Sequence, residues 1–261
     1  MKAALAPLLA LLASVIVAIA PVQAAGRPDV VARVKRSIVA VGTYEPARSP
    51  QFQFLGTGFA VGDGSMVVTN AHVLPPVLDP ERKETVAVLS PAGKRDGREQ
   101  AQWREARRVA LDPDTDLALL KIDGPPLPPL ALRDSDAVRE GQEVFMTGFP
   151  IGAVLGPYPA THRGLIAAIT PIAIPQRRAA DLDAPTLRRL ASGSFPVFQL
   201  DATAYPGNSG SPIYDPDTGE VLGIVNMVLV KGTKEAALSQ PTGITYAIPA
   251  RHLKALLEQT R

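Results

Sequence analysis

From Val30 to Ile248 the chain is a succession of short β-branched and aromatic runs, each cut by Gly, Pro or Asp, with no sustained apolar repeat of helical period. That pattern predicts an all-β fold. Ser37–Gly42, Gln53–Gly62 and Ser65–Asn70 read as successive strands, with Gly62-Asp63-Gly64 as a hairpin turn. Thr85–Ser90, Trp103–Leu111 and Leu117–Ile122 continue the series, with a polar loop over Pro91–Ala101. Gly124–Pro129 (GPPLPP) is too proline-rich for a central strand and marks a boundary between halves. Beyond it Glu143–Phe149, Gly164–Ile174, Val197–Thr203, Pro212–Tyr214, Val221–Val230 and Thr242–Ile248 are expected as strands. Pro175–Phe195 breaks the pattern as a polar surface insertion, helix-compatible over Ala179–Leu190. Arg251–Gln259 places Leu253, Leu256 and Leu257 on one face and closes the chain as an amphipathic helix.

The first 24 residues stand apart from this pattern. Lys2 gives a positive start, Ala3–Ala20 is almost wholly apolar, and Val22-Gln23-Ala24 is a small-residue cleavage site. This is the layout of a secretory signal peptide, with a retained membrane anchor as the alternative reading of the long apolar run. Cleavage after Ala24 leaves a mature chain of 237 residues, enough for one sizeable all-β unit. No cysteine is present, so the exported fold relies on its core and not on disulfides. Without Lys2 the mature chain carries 26 basic against 25 acidic residues, a balance that offers no electrostatic case for nucleic acid or an anionic membrane.

Chemistry concentrates at Tyr205–Pro212, YPGNSGSP. Ser209 sits in a turn whose flanking glycines, Gly207 and Gly210, let the Gly207 and Ser209 amides point at one small volume, as an oxyanion hole requires. His72 follows directly on the strand Ser65–Asn70, held by scaffold on one side and loop on the other. In Asp112-Pro113-Asp114-Thr115-Asp116 the first two acids have turn-like surroundings, whereas Asp116 is the last acid before an apolar strand and lies where it can orient a histidine. Singly, each has an ordinary reading: a serine in a surface turn, a partly buried histidine, an acid capping a strand. Together they fall in the order His72, Asp116, Ser209, at spacings of 44 and 93 residues. Among the unrelated folds that carry such a triad, that order belongs to the two-barrel chymotrypsin architecture. His162 and His252 have no cysteine or clustered acid near them in sequence, so neither a metal nor a cofactor is expected.

The stretches GTGFAVGDGSMVVTNAHV, DTDLALLKI, LRDSDAVREGQEVFMTGFPIG and FQLDATAYPGNSGSPIYDPDTGEVLGIVN resemble the trypsin-like serine proteases of the bacterial HtrA/Deg type. The resemblance covers nearly all of the mature chain. It implies two six-stranded antiparallel β-barrels of the chymotrypsin/trypsin type with a C-terminal helix: a first barrel over about 29–123, a second over about 130–249 and the helix at 250–260. It also implies His72 as general base, Asp116 as its orienting acid, Ser209 as nucleophile and Gly207 with Ser209 as oxyanion donors. Polypeptide substrates and a periplasmic or secreted location follow. Three departures stand out. Ser211 occupies a position where the family usually has glycine, no PDZ domain is expected after the protease, and Asn208 stands where trypsin-type zymogens have an aspartate, which argues against activation by N-terminal cleavage.

By the same resemblance Thr203 would form the base of the primary pocket and Asn226, Met227 and Val228 a wall. None is charged, so Lys and Arg are expected to be rejected and small aliphatic residues favoured. The competitor is glutamate, accepted by His162 with Arg163 nearby. A mobile loop over Gly148–His162 is expected beside the site. Two other classes stay open at this stage: a non-catalytic protease-fold module that binds exported proteins, and an acyl or ester hydrolase.

Overall fold

Pro28 at the start, Asp29 in the first turn, and Arg33 and Lys35 in the last turn complement a helix macrodipole, and Val30 with Val34 share one face. Arg27–Lys35 is accordingly helix α1, where the β pattern had been expected to begin. An i, i+4 valine pair in so short a segment is as compatible with a helical face as with a strand. A computed structural model describes residues 26–95, 98–152, 158–171, 195–226 and 243–260.

Twelve strands follow among the described residues. β1 (Ile38–Tyr44), β2 (Phe52–Val61), β3 (Met66–Asn70), β4 (Thr85–Arg95), β5 (Arg98–Asp112) and β6 (Leu117–Ile122) close into one antiparallel barrel in the order β1-β2-β3-β6-β5-β4. β7 (Glu143–Gly148), β8 (Ala160–Pro171), β9 (Pro196–Asp201), β10 (Pro212–Tyr214), β11 (Val221–Val225) and β12 (Ile244–Pro249) close the second, β10-β11-β12-β9-β8-β7. Helix α2 (Ala250–Glu258) buries Leu253 and Leu256.

The strand alternation feeds two cores at once. In β1, Val39 and Val41 point into the first barrel, while Ile38 and Ala40 join a cluster between the barrels. In β6, Ala118, Leu120 and Ile122 face inward, and Leu117 and Leu119 face that same cluster, which also takes Tyr214, Ile224, Ile248 and Leu253 from the second half. Strands buried on both faces read as continuous apolar runs, which is why LALLKI carries no polar alternation. Helix α1 precedes the first barrel in sequence yet docks under the second, with Val30 and Val34 against the glycine of the β10–β11 turn, Gly219.

A further expectation changes. The polar loop expected over Pro91–Ala101 is instead an extension of the β4–β5 hairpin, with Pro91 paired to Ala101 and a register shift between Pro91 and Lys94. The ladder runs on through a polar stretch, and the irregularity accommodates the proline. The GPPLPP linker is strapped to the first barrel: the buried Arg104 donates to Asp123 O and Pro125 O at 2.6 and 2.5 Å. The expected insertion at 175–195 lies outside the described residues up to 194, as do 172–174 and 227–230 of the expected strands.

His162 and His252 each bury an Nε2 atom that has no hydrogen-bond partner among the described residues, and the His252 ring lies 4.4 Å from that of Phe195. Burial holds both imidazoles below the usual histidine value of 6.5, with Arg251 adding to the effect at His252. The unfolded chain takes up protons at these rings below about pH 6.5, while the folded chain resists until a lower pH, so stability falls as pH drops through that window. The urea midpoint is therefore expected to be lower at pH 5.5 than at pH 7.5, and the double variant His162→Gln/His252→Gln to flatten the slope. An unchanged slope in that variant would contradict the assignment.

Candidate active site

Where β3 ends, the chain makes a 3-10 turn over Ala71–Val73, closed by Leu74 N donating to Ala71 O at 3.1 Å. His72 is thereby fixed at the rim of the first barrel. Its position depends on Asp116, across the β5–β6 bend. The Asp116 carbonyl accepts from Ala71 N at 3.0 Å and from the buried Asn70 Nδ2 at 3.1 Å. Its carboxylate accepts from His72 N at 2.9 Å through Oδ1 and meets His72 Nδ1 at 2.6 Å through Oδ2. Asp116 is 6% exposed and has φ +56°, a left-handed backbone that Asp tolerates better than most residues. The bend is prepared by Asp112, whose Oδ1 accepts from Asp114 N and Thr115 N while Oδ2 accepts from Thr115 Oγ1. The three acids thus divide as their local sequence suggests: Asp112 and Asp114 in the turn, Asp116 at the core's edge.

Ser209 arrives from the second barrel, on the loop between β9 and β10. Its Oγ lies 3.0 Å from His72 Nε2, so the three sequence candidates form one hydrogen-bonded line across the two barrels. Gly210, at φ +86°, passes so close to β2 that a Cβ there would stand 2.0 Å from Thr57 O. Only glycine fits both the backbone angle and the approach. Gly207 has φ +102°. The Pro206 carbonyl accepts from Ile151 N at 2.8 Å, which in a trans peptide turns the Gly207 N–H the opposite way.

Ser211, the departure noted in sequence, is fully buried, and its Oγ has no partner among the described residues. Space for it comes from Gly148, where a Cβ would stand 1.9 Å from Ser211 Oγ. The pair is complementary: the buried serine just before β10 fits because β7 ends in glycine.

Of the residues expected to line the pocket, Thr203 is half-buried beside the serine loop, and Met227 and Val228 lie outside the described residues. Asn226 requires correction. Its side chain is wholly buried and donates Nδ2–H to Asp116 Oδ2 at 2.7 Å, so it supports the acid and does not offer its amide to a pocket. Sequence reasoning missed this because the side-chain direction at the end of β11 depends on how the two barrels meet. A hydrogen bond to a carboxylate is worth ~1.5–3 kcal/mol, and Asn226→Leu is expected to lower kcat about tenfold with KM nearly unchanged. Wild-type kcat in a folded Asn226→Leu protein would remove Asn226 from the site. Arg163, on the exposed rim, pairs with Glu143 at 2.5 Å, and the His162 ring lies 6.4 Å from Tyr205. Of the loop expected over Gly148–His162, residues 153–157 lie outside the described residues. Among the described residues no group of three His, Cys, Asp or Glu is placed to hold a metal.

A family model for the trypsin-like peptidase domain matches residues 56–224, a span that contains His72, Asp116 and Ser209. A probable periplasmic serine endoprotease DegP-like from Marinomonas sp. is 31% identical over 84% of this chain and 38% of its own length. The mitochondrial serine protease HTRA2 of Bos taurus is 33% identical over 78% of this chain and 36% of its own. The chain thus spans less than two fifths of the length of these curated relatives. Among solved structures, that of the HtrA-type protease AlgW with a tripeptide superposes with a TM-score of 0.59 at 26% identity, covering 90% of this chain and 63% of the other.

Proposed function

The chain belongs to the trypsin-like peptidase domain family, with HtrA/Deg-type relatives, and from that premise we propose that it is an exported serine endopeptidase acting through His72, Asp116 and Ser209. The observation that carries the reading is the continuous line from Asp116 Oδ2 to His72 Nδ1 at 2.6 Å and from His72 Nε2 to Ser209 Oγ at 3.0 Å. Asp116 accepts the Nδ1 proton and so leaves Nε2 free to accept one. As Ser209 Oγ attacks the scissile carbonyl, its proton passes to Nε2, and Asp116 stabilises the imidazolium. The oxygen of the tetrahedral intermediate takes hydrogen bonds from the Gly207 and Ser209 amides. His72 then protonates the leaving amine, and water, deprotonated by the same Nε2, resolves the acyl-enzyme.

Residues 1–24 act as the export signal in this reading, the protease domain runs over 25–261, and the setting is the periplasm, where the DegP-like relatives are named as acting. Substrates are polypeptides, and turnover of damaged exported proteins is the proposed role. An uncharged Thr203 at the pocket base supports rejection of Lys and Arg at the cleaved position, with small aliphatic residues preferred. Fluorophosphonate labelling tests the chemistry: the mature protein should be modified at Ser209 and should cleave unfolded polypeptide, and Ser209→Ala should do neither. A folded protein that is neither labelled nor active on peptides, or that turns over esters alone, would overturn the reading.

A further inference from the structure

The nucleophile loop carries a buried side chain of its own that does not anchor it. Asn208, between the two oxyanion residues, is 0% exposed, and neither its Oδ1 nor its Nδ2 has a hydrogen-bond partner among the described residues. The loop is held from within its own barrel by backbone bonds, Asn208 N to Tyr205 O and Gly210 N to Val225 O, and from the other barrel by Thr57. Thr57 of β2 is likewise 0% exposed. Its backbone N donates to Ser209 O at 2.9 Å, and its Oγ1 donates to Gly207 O at 2.7 Å. The same Oγ1 accepts from Phe149 N at 3.1 Å, at the end of β7, while Thr57 O accepts from Thr69 Oγ1 at 2.8 Å in β3. One side chain therefore ties β2, the end of β7 and the carbonyl of the oxyanion glycine together.

Resting on the proposed role of Ser209, we infer that Thr57 is a positioning residue that sets the oxyanion hole by holding the Gly207 carbonyl away from it. Gly207 has no Cβ and sits at φ +102°, so rotation of the 207–208 peptide meets little steric resistance. Such a rotation leaves both oxyanion amides in the flanking 206–207 and 208–209 peptides, but it breaks the bond from Asn208 N to Tyr205 O and turns the Gly207 carbonyl oxygen toward the developing negative charge. The Thr57 hydroxyl opposes it, because the rotated state leaves a buried O–H and a buried C=O unpaired. Approach of β2 to the loop is close enough to require glycine beside Thr57: a Cβ on Gly56 would stand 3.1 Å from Ser209 O and 2.8 Å from a methyl of Val73. Thr57 touches no substrate, since it is wholly buried.

Thr57→Val keeps the shape and removes the hydroxyl, and Thr57→Ser keeps the hydroxyl. For Thr57→Val, kcat on a peptide substrate is expected to fall ~10–100-fold with KM within about twofold. Affinity for a peptide boronic acid, whose adduct on Ser209 places an oxygen in the oxyanion position, should fall by the same factor. Binding of an uncleaved peptide, measured on the Ser209→Ala background, should not change, and Thr57→Ser should recover most of the loss. Thr57→Ala serves the same comparison if Thr57→Val fails to fold. Wild-type kcat in a folded hydroxyl-less variant, a boronate affinity that stays constant while kcat falls, or no rescue by serine would each overturn the inference. If the wild-type protein itself is not inhibited by the boronate, the assignment of Ser209 fails and not the role of Thr57.

Discussion

Ser209→Ala is expected to lower kcat by roughly 10⁶ while leaving the protein folded and able to bind peptide. The magnitude follows from the way nucleophile and base act as a unit: loss of either member removes nearly the whole contribution of the set. What survives, on the order of 10³–10⁴ over the water reaction, comes from the oxyanion donors and from binding. The fold should survive because the backbone bonds that shape the loop are independent of Oγ, among them Thr57 N to Ser209 O, Gly210 N to Val225 O, Val225 N to Ser211 O and Asn208 N to Tyr205 O. Ser209 is 7% exposed, and among the described residues alanine takes a partner only from His72 Nε2, on an exposed residue. His72→Ala should cost the same order in kcat, since His72 Nε2 is the only base in contact with Oγ among the described residues. Steady-state cleavage of a chromogenic peptide, with thermal unfolding alongside, measures both parts. Turnover within a hundredfold of wild type by folded Ser209→Ala protein would mean that another group does the chemistry.

Legibility from sequence followed the physics of each segment. β6 and β10 lie at the positions their apolar runs suggest, because strands buried on both faces read as nearly unbroken apolar runs, Lys121 being the one charged residue of β6. The triad candidates were legible because each sits at the junction of a strand with a turn, where local residue type decides the geometry: Asp116 after the Asp112 turn, His72 after Asn70, Ser209 between glycines. Elements that answer to distant partners were not. Helix α1 was hidden because its buried pair, Val30 and Val34, is completed by Gly219 and Arg33–Thr218 contacts almost two hundred residues away. The β4–β5 hairpin extension was hidden because backbone pairing leaves no trace in polar side chains. Thr57 carried no signal, and Asn226 none for its bond to Asp116: a threonine in a strand and an asparagine at a strand end are ordinary, and these roles arise where the two barrels face each other. The same holds for Ser211, whose acceptance depends on the missing Cβ of Gly148, 63 residues earlier.

Asp116→Asn isolates the proton chemistry more cleanly than any truncation. Asparagine accepts a left-handed backbone as readily as aspartate, so φ +56° at this position is retained and the Asp116 carbonyl keeps its two donors, Ala71 N and Asn70 Nδ2. The carboxylate, however, faces donors only: His72 N on Oδ1, and His72 Nδ1 with Asn226 Nδ2 on Oδ2. An amide supplies one acceptor and one NH2, and two placements compete. With NH2 toward His72 N, two fixed buried donors confront each other, at a cost of ~1–3 kcal/mol for the unpaired groups. With NH2 toward Nδ1, the backbone bond is kept, Asn226 can turn its amide to present oxygen, and the imidazole adapts by moving its proton to Nε2. The second placement wins because the donor left facing the new NH2 is a side-chain amide that can reorient, and not the fixed backbone N–H of His72. It also disables the base, since an Nε2–H cannot take the proton of Ser209. The expected result is a loss of about 10⁴ in kcat, with melting temperature and peptide binding close to wild type and fluorophosphonate labelling slowed in proportion. A folded Asp116→Asn protein within tenfold of wild type would show that the tautomer of His72 is set by something other than Asp116.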